Sequence, residues 1–175
     1  MIMTNRLRET LAAGSPTIGT HYLSSDPDLP EIIGDSGLFD YAEYCAEYSA
    51  FDMQLLCHMA RAGQCAGLPL MIKLHQKSRG FWAQAALGAG FKAVLFTDVR
   101  TPEDIAACHR VIRADTPGDG GLDGGQAQAP GNDRLRARGL LADLASAVFA
   151  IMIEKGRRSA TSTGCSRRPR RMAST

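Results

Sequence analysis

The sequence predicts an α/β chain in which a parallel sheet is covered by helices. Apolar, strand-like runs alternate with helical patterns four times in about the first 115 residues. The strand-like runs are rich in apolar residues, as strands covered by helices require. Cap and turn residues separate the elements at regular intervals, and repeated strand–helix units of this kind build parallel sheets.

The elements follow in order. "TIGTHYLS" (17–24) is the first strand, and "PDLPEIIGDSG" after it makes a short helix capped by Asp26 or Asp28 and ended by Gly37. "FDYAEYCAEY" (39–48) carries aromatics at strand spacing. Asp52 then caps "MQLLCHMARAGQCAG", where Leu55, Leu56, Met59 and Ala62 recur at i, i+3/i+4. "LPLMIKLH" (68–75) is the third strand, and "RGFWAQAALGAG" the third helix, closed by Gly88 and Gly90. "AVLFTDV" (93–99) is the fourth strand. The helix after it has Pro102 in its first turn, Glu103 and Asp104 where the helix dipole favours acids, and Arg110 and Arg113 near its end. The stretch 115–132 holds six of the eighteen glycines and reads as a loop. "DRLRARGLLADLASA" (133–147) regains helical character, and "VFAIMIE" (148–154) supplies a fifth strand.

Composition narrows the function classes. At 175 residues with 45% hydrophobic and 22% charged side chains, the chain suits one globular domain. No apolar run approaches the roughly 18–20 residues that span a bilayer, and the N-terminus lacks the apolar core of a secretory signal. Scattered cysteines without such a signal give a cytoplasmic expectation. The net charge of +2 conceals an asymmetry. Lys155 to Thr175 holds seven Lys/Arg and no acid, so residues 1–154 carry 13 basic against 18 acidic side chains. An acidic body with a basic, aperiodic tail argues against a nucleic-acid-binding domain. The tail reads as disordered chain, of the composition that a shifted reading frame or missed splice gives. No CxxC or paired Cys/His spacing suggests zinc, and the glycines at 118–125 form no phosphate loop.

Four stretches, "LAAGSPTIGT" (11–20), "PEIIGDSGLFD" (30–40), "AALGAGFKAVLFTDVRTPEDIAA" (85–107) and "IMIE" (151–154), resemble the HpcH/HpaI aldolase/citrate lyase family, near its macrophomate synthase branch. The resemblance covers residues 7–114 and 148–154. It implies a (β/α)8 TIM barrel with the active site at the C-terminal ends of the strands. About five of the eight βα units are expected here, within a partial barrel domain over 1–154. It also implies a divalent-metal lyase that makes a pyruvate enolate from a 2-oxoacid, by retro-aldol cleavage of 4-hydroxy-2-oxoacids or by decarboxylation of oxaloacetate. Mg²⁺ or Mn²⁺ would stabilise the enolate charge, and such hard ions take carboxylate ligands. A homo-oligomer is implied as well.

Residue by residue, the resemblance places Glu154 at the metal-ligand glutamate closing the fifth strand. The aspartate that should follow about two dozen residues later has no counterpart. In the strand-two motif Cys45 stands for an aspartate, Glu47 is kept, and Tyr48 replaces the acid/base histidine. A tyrosine is a poor base near neutral pH, which suits decarboxylation better than aldol proton transfer. Lys73 falls at the arginine that holds the substrate carboxylate, and period 2 would set His75 on the same strand face. Read without the resemblance, Glu154 is a solvated strand-end carboxylate, Glu47 an ion-pair partner, Tyr48 a pocket wall and Lys73 a solvated lysine. His58 and His109 read as helix-surface groups.

A rival from another class is a catalytically dead fragment or pseudoenzyme that associates with full-length subunits. Five strands cannot close an eight-strand barrel, and the first and fifth would keep open edges. The chain alone is therefore expected to aggregate or to need partner subunits. Gel filtration followed by thermal melting tests this, and a cooperative melt from a clean monomer contradicts it.

Overall fold

Five strands pair in parallel in chain order: β1 (Gly19–Tyr22), β2 (Tyr41–Cys45), β3 (Leu70–Leu74), β4 (Ala93–Phe96) and β5 (Val148–Ile151). The computed structural model describes residues 5–114, 142 and 144–153. Glu154, the glycine-rich stretch and the basic tail lie outside the described residues, as does most of the helix expected over 133–147. The helices are α1 (Arg6–Ala12), α2 (Asp28–Asp35), α3 (Met53–Cys65), α4 (Arg79–Ala89) and α5 (Pro102–Val111).

Each strand is shorter than its apolar run. In the second, the Tyr48 amide bonds the Cys45 carbonyl at 3.2 Å, closing a turn directly after the strand. Local signals fix the helix ends. Asp52 accepts from the Leu55 amide at 2.8 Å and starts α3. Thr101 and Asp104 form a reciprocal capping box on α5, ahead of Pro102. Gly90 ends α4 at φ 121°, a conformation that side chains resist. For α2 the cap position is Pro27, whose side chain bonds nothing there, and Asp26 accepts from the Asp28 amide at 3.0 Å.

Strand alternation divides the sheet into two faces. The outer face, with Ala42, Tyr44, Leu70, Ile72, Leu74, Val94 and Phe96, is buried under α3 and α4 through Leu56, Met59, Ala60, Ala83 and Ala86. Burying a large apolar side chain contributes about 1.5–3 kcal/mol, so this layer dominates stability. At Gly63 the helix comes so near β3 that a Cβ would lie 2.9 Å from the Leu68 carbonyl oxygen.

The inner face is plugged from below. Leu7 of α1 is buried with Met71, Ala93 and Val148. Buried Asn5 holds the plug, its side-chain amide donating to the carbonyls of Lys92 at 2.9 Å and Ser146 at 2.8 Å. This helix has no apolar stripe, only Leu7 being buried, and the hydrophobic pattern gave no sign of it. In the sheet β1 pairs only with β2 and β5 only with β4, so among the described residues the barrel wall is open.

Thr97, fully buried just past β4, donates its hydroxyl to the Leu74 carbonyl at 2.8 Å and ties the ends of two strands together. Thr97→Val keeps the shape and removes this bond. It is expected to lower stability by about 1 kcal/mol in chemical denaturation.

Candidate functional site

Above the apolar plug, the inner face turns polar towards the strand C-termini. Register sets His21 beside Glu43, Cys45 beside Lys73, Lys73 beside Leu95, and Leu95 beside Ala150. The chain after β2 doubles back and brings Glu47 over the same end of the sheet. The Ser49 hydroxyl pins that turn to the carbonyls of Leu23 (2.8 Å) and Cys45 (3.0 Å), while the Ser25 hydroxyl donates to the Ala50 carbonyl at 2.6 Å.

The centre of the site is an ion pair. Lys73 Nζ lies 3.2 Å from Glu47 Oε2, and the two side chains are 13% and 9% exposed. A pair this sheltered is held by geometry, because losing either partner would strand a charge away from water. The ammonium is also 5.4 Å from the centre of the Tyr48 ring, a cation–π distance.

The surrounding charges act on one another. Burial works to lower the Lys73 pKa, but the Glu47 hydrogen bond and the Glu47 and Glu43 charges outweigh it and hold the pKa above its ordinary 10.5. Lys73 is thus a fixed cation at neutral pH. Burial raises the Glu43 carboxyl above its ordinary 4.5, against the pull of Lys73 and His21, with Glu47 pushing it further up. Burial also raises the Cys45 thiol and keeps it protonated, Lys73 opposing and Glu43 and Glu47 assisting.

The predicted residues divide here. Glu47 and Lys73 meet, and Tyr48 stands beside them, although at 70% exposure it is no pocket wall. His75 is not brought to them. It lies past the end of β3, where alternation no longer sets direction, and is exposed with its Nδ1 accepting from the Lys77 amide at 3.2 Å to start a short turn of 3₁₀ helix. Glu154 lies outside the described residues. Sequence reasoning missed Glu43 and His21, although the period-2 argument that aimed Lys73 inwards also applies two residues before Cys45. It missed Asp98 too, whose φ of 52° marks a strained turn just beyond β4 on the rim of the site. Among the described residues no three His, Cys, Asp or Glu side chains gather as a metal cluster. A cavity of about 310 Å³ between α2 and α3, lined by Glu31, His58, Arg61 and Cys65, lies in the helical layer, away from this site.

Solved structures share the architecture. An HpcH/HpaI aldolase/citrate lyase family protein from Burkholderia cenocepacia J2315 matches with a TM-score of 0.72 at 23% identity, over 88% of this chain and 61% of its own. The fold is that of the HpcH/HpaI aldolase/citrate lyase barrels. The HpcH/HpaI aldolase from Desulfitobacterium hafniense DCB-2 gives a TM-score of 0.66 at 22% identity, over 83% of this chain and 55% of its own. Macrophomate synthase gives 0.63 at 16%, over 88% and 55%. The chain thus spans little more than half the length of these structures. No protein-family model and no curated protein matches the sequence. Among the described residues no helix is long and apolar enough to cross a membrane.

The raised Glu43 carboxyl has a consequence for stability. Folding makes it hold its proton more tightly, so it detracts from stability as pH rises from its ordinary value through the folded one. Glu43→Gln is expected to melt higher than the parent at pH 8, with the gain vanishing near pH 4.

Proposed function

We propose that the chain belongs to the HpcH/HpaI aldolase/citrate lyase family and is a carbon–carbon lyase acting on 2-oxoacids through a pyruvate enolate. The observation that carries this reading is the Lys73–Glu47 pair, sheltered at the C-terminal ends of the strands of a barrel wall. A 2-oxoacid must be held by its carboxylate while the bond two carbons away breaks. Lys73 supplies a permanent positive charge for that carboxylate. Glu47 accepts from one of its three ammonium donors and leaves the others for substrate. Tyr48, its ring 5.4 Å from the ammonium, offers a hydroxyl donor. In oxaloacetate the C3–C4 bond breaks and CO₂ leaves, its electron pair staying on the pyruvate enolate. In a 4-hydroxy-2-oxoacid the same bond breaks as the 4-hydroxyl proton passes to water, the bond's electron pair stays on the enolate and an aldehyde leaves.

A divalent ion, Mg²⁺ or Mn²⁺, would supply charge stabilisation to the enolate oxygen when bound, with Glu154 as the carboxylate on this chain. The described side chains do not make a site for it by themselves. Glu47 is committed to Lys73, and a fixed ammonium beside it repels a dication. A homo-oligomer in the cytoplasm completes the proposal. The open sheet favours one alternative, a fragment that associates with full-length subunits and turns nothing over itself.

Purified protein is expected to release pyruvate from oxaloacetate, and EDTA or Glu154→Gln to stop it. Lys73→Met is expected to raise KM at least tenfold by removing the carboxylate anchor. Soluble, folded protein without turnover would support the associating fragment instead.

A further inference from the structure

Glu43 is the acid group of the site that neither the ion pair nor the substrate anchor uses. Its place follows from register. It sits on the inner face two residues before Cys45, one strand from Lys73 and one residue pair below it, a backbone separation of about 8 Å from strand spacing and rise. A carboxyl there forms the floor beneath a molecule anchored on Lys73. Beside it on β3 is its register partner Met71, and beneath it lies the plug of Leu7, Ala93 and Val148, with Tyr41 packed against it. Beside it on β1 is His21, which is exposed and so joins Glu43 to water.

We propose that Glu43 is the proton carrier of this site, with His21 its exchange route to solvent. The inference rests on the lyase reading. It also supplies what Tyr48 lacks, since a tyrosine hydroxyl is a poor acid/base near neutral pH.

The step balances as a simple proton transfer. After C3–C4 cleavage, protonated Glu43 gives its proton to the methylene carbon of the enolate. The enolate π electrons form the new C–H bond, the keto C=O is restored, and Glu43 is left as carboxylate. A proton from water, relayed through His21, returns it to the acid. In reverse, the carboxylate removes a methyl proton from pyruvate. The charged and titratable groups facing Glu43 are His21 on β1, Cys45 and Glu47 after it in the chain, and Lys73 on β3. Their balance holds the carboxyl above its ordinary range, towards the pH at which a carrier must both give and take a proton.

The test separates proton transfer from bond cleavage. Full-length protein is incubated with pyruvate in D₂O, and methyl deuteration is followed by NMR. The same preparations are assayed for oxaloacetate decarboxylation, whose enolate can collect a proton from water after release. Glu43→Gln is expected to slow exchange at least 100-fold relative to decarboxylation, Glu43→Asp to recover part of it, and His21→Gln to slow it about tenfold. Exchange and decarboxylation falling together in Glu43→Gln, or exchange unchanged, overturns the carrier role. A parent protein that decarboxylates without exchanging overturns it too and leaves the lyase reading standing, whereas a parent that does neither overturns both.

Discussion

Everything at the candidate site depends on the in-register parallel pairing of five strands. Side chains alternate across a strand with period 2, so a slip of one residue in any strand would exchange its faces. It would put Lys73 under the helices and Ile72 or Leu74 into the site. The register is held by apolar side chains on the helix-covered face, where Tyr44, Ile72, Leu74, Val94 and Phe96 are nearly or wholly buried. Stability is gathered on one face, and charge can be tolerated at the open end of the other.

That division explains how five ionisable groups share a small region. His21, Glu43, Cys45, Glu47 and Lys73 lie within two or three residues of three neighbouring strand ends. Burial makes charge costly at Glu43, Cys45 and Lys73. The Lys73–Glu47 contact meets that cost for one cation and one anion. Glu43 is left with a raised pKa and Cys45 with its proton. Burial thus sets the ionisation of Glu43 and Cys45 against the pull of the lysine charge, and anything that binds Lys73 will alter both.

Much of the fold was legible because its signals are local. Asp52, Pro102 and Gly90 fix helix ends through bonds and dihedral limits within a few residues, and apolar runs locate the strands. α1 was not legible, because its single buried leucine and its Asn5 anchor are justified only by contacts with residues about 60 to 140 positions away. The site was half legible. Alternation placed Lys73 correctly on the inner face, and Glu47 fell within its reach. The same rule was extended to His75, beyond the strand where it applies, and was not used at Glu43, where it does. Tyr48 followed its motif to the right neighbourhood, but the turn after Cys45 decides its exposure.

The account stands or falls on whether a 2-oxoacid anion is held by Lys73. The most direct measurement is a titration of ¹⁵N-lysine-labelled protein with oxalate, a planar anion shaped like the pyruvate enolate, watching the side-chain ammonium resonances. The account predicts a saturable shift of one resonance, assigned to Lys73 by its loss in Lys73→Met. Saturable oxalate binding that leaves that resonance unmoved, or no binding by folded protein, would contradict it.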